Sequence, residues 1–392
     1  MDINEKLGIQ TVVNIQDRST LNNPDAGYAN LGSNMNQWWQ RQLDMDNLKN
    51  YERNGQIVSW NIRGPRDARP LYWDMPYFQT NENLKHDFKN AAFGKFAITY
   101  KFNEYIDAIG EIRSTVNSYR GDDRGTTKSL LDPAFYSEYQ YRNTREQYFG
   151  MINYNKRFFN NKLDVQASIG GDIATNEYNF LSASTQGDLT IPEFYNLGGS
   201  KDPVSTNTTL RKSETRGAFF KSSLGFNDIA YLDASYRLDW SSTAKADQNK
   251  VETFGVSSSF LIHKLFPSNE YLTFAKFRAG FASAPYFPNP YNISQVYNAG
   301  DLYQGNGTLS VPNTQANPNL IGGTRDEFEI GAELRMIKGR VSLDVTYFDR
   351  VDSDLPVSVN LDGSTGYTGI TINSGKNTSK GWEIALNTTP IK

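Results

Sequence analysis

The sequence predicts an all-β chain, a transmembrane antiparallel β-barrel with long extracellular loops and short periplasmic turns. Three observations lead there: apolar and polar residues alternate with a period of two, the alternating stretches are long, and short and long connections alternate along the chain. Alternation separates two faces cleanly in a strand, whereas helical geometry would scatter the same residues around a cylinder. In Leu232–Trp240 one face carries Leu232, Ala234, Tyr236, Leu238 and Trp240, and the other Asp233, Ser235, Arg237 and Asp239. Phe96, Ile98, Tyr100 and Phe102 oppose Lys95, Ala97, Thr99 and Lys101, and Val341, Leu343, Val345 and Tyr347 oppose Ser342, Asp344 and Thr346. Glu329, Glu333 and Arg335 share one side of a further stretch.

Such stretches place strands near 7–17, 89–102, 105–119, 145–159, 162–181, 208–226, 229–242, 251–265, 271–284, 326–337, 340–352 and 378–389. Several reach the roughly 9–11 residues that a tilted strand needs to cross a bilayer, about twice the 5–6 usual in soluble proteins. Tight turns are expected at Asn103-Glu104, Asn160-Asn161, Asn227-Asp228, Phe266–Glu270 and Lys338-Gly339, whose Asn, Asp and Gly tolerate positive φ. Between them lie polar loops at 18–88, 120–144, 182–207, 243–250, 285–325 and 353–377. A half-buried soluble sheet also alternates, but it has no reason to keep turn and loop parity over so many hairpins. Asn34–Tyr51, with Trp38, Leu43, Met45, Leu48 and Tyr51 at loosely helical spacing, reads as a short helix inside the first loop.

Composition agrees. Mean hydropathy is −0.61 and no run of about 18 apolar residues occurs, which excludes transmembrane helices but not strands that meet lipid with every second residue. Tyr and Phe number 23 each and Trp 6, in keeping with the aromatic girdles of membrane barrels. A net charge of −3 gives no footprint for nucleic acid. The absence of cysteine removes disulfides, thiol catalysis and thiolate metal sites. Asp2–Lys6 has no apolar stretch of the signal-peptide kind.

Chemistry finds no footing. His86 and His263 stand outside any metal-ligand spacing, so no metal and no cofactor is expected. Gly363-Ser364-Thr365-Gly366 is a loop and not a nucleophile elbow. Gly121–Ser129 has the composition of a phosphate loop without its spacing, and its Asp pair is expected to be a solvated loop ahead of a weak Ca²⁺ site. The chain is therefore expected not to be an enzyme. The candidate substrate-binding residues are the loop aromatics and amides Trp38, Trp39, Trp60, Tyr72, Trp73, Tyr286, Tyr291, Asn292 and Tyr297. Ring faces can cover the apolar sides of a sugar or peptide while amides pair with its polar edges. Packing within loops and girdles is the simpler role for the same residues.

Several blocks resemble the barrel of SusC/RagA-family TonB-dependent transporters of Bacteroidetes outer membranes. Tyr231–Ser242, YLDASYRLDWSS, followed by Lys245, Asp247 and Asn249, is similar to that family's aromatic-Leu strand ending in Asp-Trp-Ser-Ser. The Ser run Val256–Phe260, the block Asn36–Met45, and Pro76-Tyr77-Phe78 with Asn81-Glu82-Asn83 resemble further family stretches, although Met75 and Phe78 replace the usual Asn and Trp. Asn317–Leu320, Glu327–Leu334, Leu343–Arg350 and Asn373–Leu386 follow in the family's order. The resemblance implies that residues 1–392 supply about twelve strands of a barrel of about twenty-two, with no plug domain and no final aromatic strand among them. It implies import of an oligosaccharide or oligopeptide across the cell outer membrane. A SusD-like surface lipoprotein, outer-membrane lipid and TonB-ExbB-ExbD acting through the plug would be the partners. A SusC-like barrel serving as a scaffold in an assembly or secretion complex is the alternative. A soluble β-rich binding domain is a further one, and an outer-membrane hydrolase fails for want of catalytic groups.

Overall fold

The computed structural model describes residues 3–22, 30–58, 60–267 and 270–389. Twelve long strands follow one another in a single antiparallel sheet, each hydrogen-bonded to its sequence neighbour. They are β1 (Leu7–Leu21), β2 (Lys85–Lys101), β3 (Ile106–Gly125), β4 (Phe135–Phe158), β5 (Leu163–Leu189), β6 (Ser200–Phe226), β7 (Ala230–Ser241), β8 (Lys250–Phe260), β9 (Leu272–Tyr286), β10 (Gly323–Met336), β11 (Val341–Asn360) and β12 (Gly369–Thr388). Thr314-Gln315 adds a short parallel contact to the start of β12. Each expected strand has its counterpart, so the all-β reading holds. Among the described residues the sheet is open, with β1 at one end of the strand order and β12 carrying only that short contact at the other.

Register turns the alternation into two continuous faces. Ile152, Ile169, Phe220, Tyr236 and Phe254 stand side by side across five strands, and each is more than two-fifths exposed. One residue out of phase, Glu111, Phe149, Asp172, Gly217 and Asp239 line the opposite side. An apolar band this broad marks a surface that meets lipid or protein rather than water. An Arg or Lys placed mid-band would cost roughly 2–4 kcal/mol. Charges on the apolar side flank the apolar rows instead, with Lys156 near the turn end of β4 and Glu146, Glu177, Lys212, Glu214 and Arg216 about midway along β4–β6, on the loop side of those rows.

The connections keep the expected parity. Turns at 102–105, 159–162, 227–229 and 337–340, with a one-turn 3₁₀ helix Ile262–Leu265 in the fifth, alternate with loops 22–84, 126–134, 190–199, 242–249, 287–322 and 361–368. Asn160, Asn161, Asn227, Asp228, Lys338 and Gly339 take positive φ as the turn residues require. Asn103 does not; its side-chain oxygen accepts from the Tyr105 and Ile106 amides instead. The expected strand 251–265 stops at Phe260, where the 3₁₀ turn begins. The expected turn Phe266–Glu270 lies partly outside the described residues.

Two further expectations change. The strands run well past the alternating segments: β5 and β6 are 27 residues each and pair through Ser205–Thr209 with Phe180–Ser184. At about 3.3 Å per residue these hairpins far exceed the bilayer, so their outer parts stand in water with polar residues on both faces. Alternation is lost there, and the sequence reads as loop. The single helix expected over 34–51 is two helices, α1 (Leu31–Trp38) and α2 (Met45–Lys49), capped by Asn30 and Asp44. With α3 (Pro76–Glu82) they enclose a small core of Leu48, Trp60, Met75 and Phe78. This cap sits on the loop ends of the strands. Asn22 donates to the Thr80 carbonyl at 3.1 Å, the Thr126 amide donates to Asn83 at 3.1 Å, and Ser129 donates to Asp74.

Candidate functional site: the polar face of the sheet

The polar face is built by parity and by pairing between strands. At its centre Arg237 of β7 donates to both Asp239 oxygens at 2.8 Å and to Asp172 of β5 at 2.8 Å, and Gln147 of β4 donates to Asp172 at 3.0 Å. The Arg237 guanidinium reaches across β6 because position 217 is glycine; a Cβ there would stand 2.1 Å from an Arg237 nitrogen. The rings of Phe149 and Phe219 stack at 5.8 Å, with Arg113 and Arg237 over them. Glu111 accepts from Arg113 and stands 3.8 Å from Lys95. Asp172 and Asp239 are under a tenth exposed, so charge pairing keeps their carboxylates from being stranded out of water.

A second charged group lies on β9–β11. Arg278 grips Asp344 at 2.8 Å and donates to Thr346 at 2.6 Å, and Arg350 pairs with Glu327. Arg325 pairs with Asp352 at 2.6 Å while its guanidinium lies over the Tyr286 ring. Nearer the loops, Tyr119 stacks on Tyr141 at 5.1 Å and on Tyr139 at 6.0 Å, Tyr178 follows Tyr141, and Tyr139 donates to the buried Asp87. The result is a wall of alternating charge interrupted by ring faces.

The expected site residues do not converge. Trp60 is 3% exposed, donates to the Trp73 carbonyl and forms the core of the cap, with Trp73 and Trp38 packed around it. Tyr72 packs at a tilt against Trp38, ring centroids 4.2 Å apart, and, with Trp39, keeps much of its ring at the surface. Tyr286 joins the polar face. The Tyr291 hydroxyl accepts from the Lys212 amide at the β6 edge, the Asn292 carbonyl accepts from the Asn317 amide within its loop, and Tyr297 is largely exposed. The tyrosine row was absent from the expectations. Tyr139-Gln140-Tyr141 shows its parity, but nothing local shows that β3 and β5 bring Tyr119 and Tyr178 beside it. Of the histidines, His86 contacts Asp122 at 3.2 Å and His263 the Ala275 carbonyl at 3.1 Å. Asp122 also pairs with Arg124 in the stretch that resembled a phosphate loop.

In the loops, Glu193 gathers Thr126, the Thr127 amide and hydroxyl, and Tyr195. Partial desolvation works against its ionisation, yet these donors together hold its carboxyl below the usual glutamate range. Asp74 moves the other way, raised by burial that the Ser129 hydrogen bond only partly offsets.

A family model described as TonB dependent receptor-like, beta-barrel, matches residues 16–389. The chain belongs to that family of outer-membrane barrels. TonB-dependent receptor P26 of Formosa agariphila is 25% identical over 358 residues, covering 82% of this chain and 33% of P26. The RagAB peptide transporter superposes with a TM-score of 0.78 at 16% identity, over 100% of this chain and 43% of that one. The ferric-catecholate receptor Fiu of E. coli gives 0.54 at 10% identity, over 98% and 53%. These likenesses show the fold, and the RagAB match agrees with the SusC/RagA resemblance of the sequence. The chain spans between a third and about half of these relatives, as part of a TonB-dependent receptor barrel.

Proposed function

We propose that this chain forms part of the wall of an energised importer, with its polar face lining the passage taken by an oligopeptide or oligosaccharide. The supporting observation is the pairing of opposite characters on one sheet: a continuous apolar band on one side, and on the other the charge-and-ring wall from Tyr119 to Arg350. A polar oligomer moving along that wall exchanges water for many hydrogen bonds of modest strength, each worth only about 0.5–1.5 kcal/mol net, so none traps it. Trp39, Tyr72 and Tyr297 would offer ring faces at the rim, and the tyrosine row below the cap would be the ring surface met next. In this reading a SusD-like lipoprotein closes over the loops, and TonB-ExbB-ExbD moves the plug. RagAB is a peptide transporter, which supports a peptide cargo.

Deleting the gene of the full-length protein and measuring growth and uptake on peptide and polysaccharide sources tests the proposal. A defect restored by the intact gene is expected; normal uptake of every polymer would count against import.

A further inference from the structure

The apolar side of the sheet carries a trough that the transport reading does not use. Across β3–β5 one register row consists of Gly110, Gly150 and Gly171, continued by Ala218 on β6. The row on its loop side is bulky, with Phe96, Ile112, Tyr148 and Ile173, and ends on β6 at Arg216. The row on its turn side carries Ile152, Ile169 and Phe220. Side chains missing from one row between two full ones leave a groove of about 610 Å³, lined by Phe96, Ile98, Ile112, Tyr148, Ile173 and Arg216 around the glycines. A Cβ built on Gly110 or Gly150 meets nothing within 4 Å, so the backbone does not demand glycine at either position.

The trough runs from β3 to β6, three inter-strand spacings or about 15 Å, roughly the reach of an extended acyl chain. It also has a polar end and a deep end. Arg216 stands ten residues from Phe226 at the turn end of β6, and Gly110 four from Ile106 at that of β3. At about 3.3 Å per residue and a tilt near 40°, those positions lie roughly 25 and 10 Å from the turns. The apolar band of such barrels is about 25 Å tall, which puts Arg216 at its polar edge. There Arg216 meets Glu214 at 2.6 Å, beside the Lys212–Glu177 pair at 3.0 Å.

We infer that this trough seats one acyl chain of a membrane lipid, with the lipid headgroup at the charged edge beside Arg216 and the chain descending over Gly171 and Gly150 to Gly110. The occupant follows from continuity: the groove is cut into the band that faces hydrocarbon, and it opens at a charged edge. The inference rests on the lipid-facing reading of that band and is independent of what the barrel transports.

The test reconstitutes the full-length protein in phosphatidylethanolamine vesicles that carry a photoactivatable acyl chain, then maps the labelled peptides. Labelling at Phe96, Ile112, Tyr148 and Ile173 should exceed that at Val256, Phe281 and Ile330 on the same face, and should fall at least fivefold in Gly150→Leu and Gly110→Leu. Arg216→Gln should weaken retention of the lipid through detergent washing. Even labelling along the band, unchanged by either glycine variant, overturns the seat while leaving the lipid-facing reading intact. No labelling of the band at all overturns both. Should one glycine variant fail to fold, the other and the wild-type labelling pattern still decide.

Discussion

At the scale of single residues, the polar face depends on charges that compensate one another at short range. Arg237 is the sharpest case, since Asp172 and Asp239 both lean on it and neither has much access to water. Arg237→Ala should destabilise the folded protein by about 2 kcal/mol, the cost of leaving buried acceptors unmet, read as a lower temperature for loss of heat-modified gel mobility. Arg237→Lys should recover only part of this, because an ammonium cannot span two carboxylates as the planar fork does. Glu193 supplies a pH-dependent counterpart. Its carboxyl is held below the ordinary value, so its contribution to the loop is complete above about pH 4.5 and is lost as pH falls through the depressed value. The protection of the amides of residues 126–134, taken relative to their intrinsic exchange rates at each pH, should therefore fall on acidification in the wild type. In Glu193→Gln that protection should be lower at neutral pH and flat across that window.

Among elements, the strands were legible wherever one face meets lipid. Lys95–Phe102 and Leu232–Trp240 announce themselves because a bilayer tolerates few exceptions on one side and water few on the other. The same strands became illegible beyond the membrane. Ser205–Thr209 has polar residues on both faces, and only the ladder with Phe180–Ser184 makes it a strand. Trp60 shows the converse, since its neighbours Asn61, Arg63, Gly64 and Pro65 read as an exposed loop while long-range packing buries it. The tyrosine row failed for a related reason: its members lie on three strands, and register is a property of pairs. If the outer hairpin of β5 and β6 is a projection, joining Leu181 to Thr208 through an Asn-Gly turn keeps the remaining register. Insertion and heat-modified mobility should then match the wild type. Loss of the folded band would mean that the projection carries part of the barrel's stability.

For the molecule as a whole, the sheet of the described residues is open. β1 stands at one end of the strand order and β12, carrying only the short Thr314-Gln315 contact, is the last long strand at the other, with Val13, Ile15, Trp382, Ile384 and Leu386 more than three-fifths exposed. Two such edges invite pairing between copies. Residues 1–392 produced alone should aggregate or associate by their edges, as sedimentation in detergent would show, whereas the same residues within the full-length receptor should run as a compact, heat-modifiable species. Apart from its edges, everything about the sheet turns on its having lipid on one side and water on the other. The most direct measurement of that is accessibility along β6. With the chain free of cysteine, single cysteines from Phe219 to Leu224 in an otherwise cysteine-free full-length receptor can each carry a nitroxide in lipid vesicles. Positions 220, 222 and 224 should be relaxed by oxygen dissolved in the bilayer, and 219, 221 and 223 by a water-soluble nickel chelate. If both sets are shielded from both reagents, the sheet is packed between protein layers, and the account of a membrane wall is wrong.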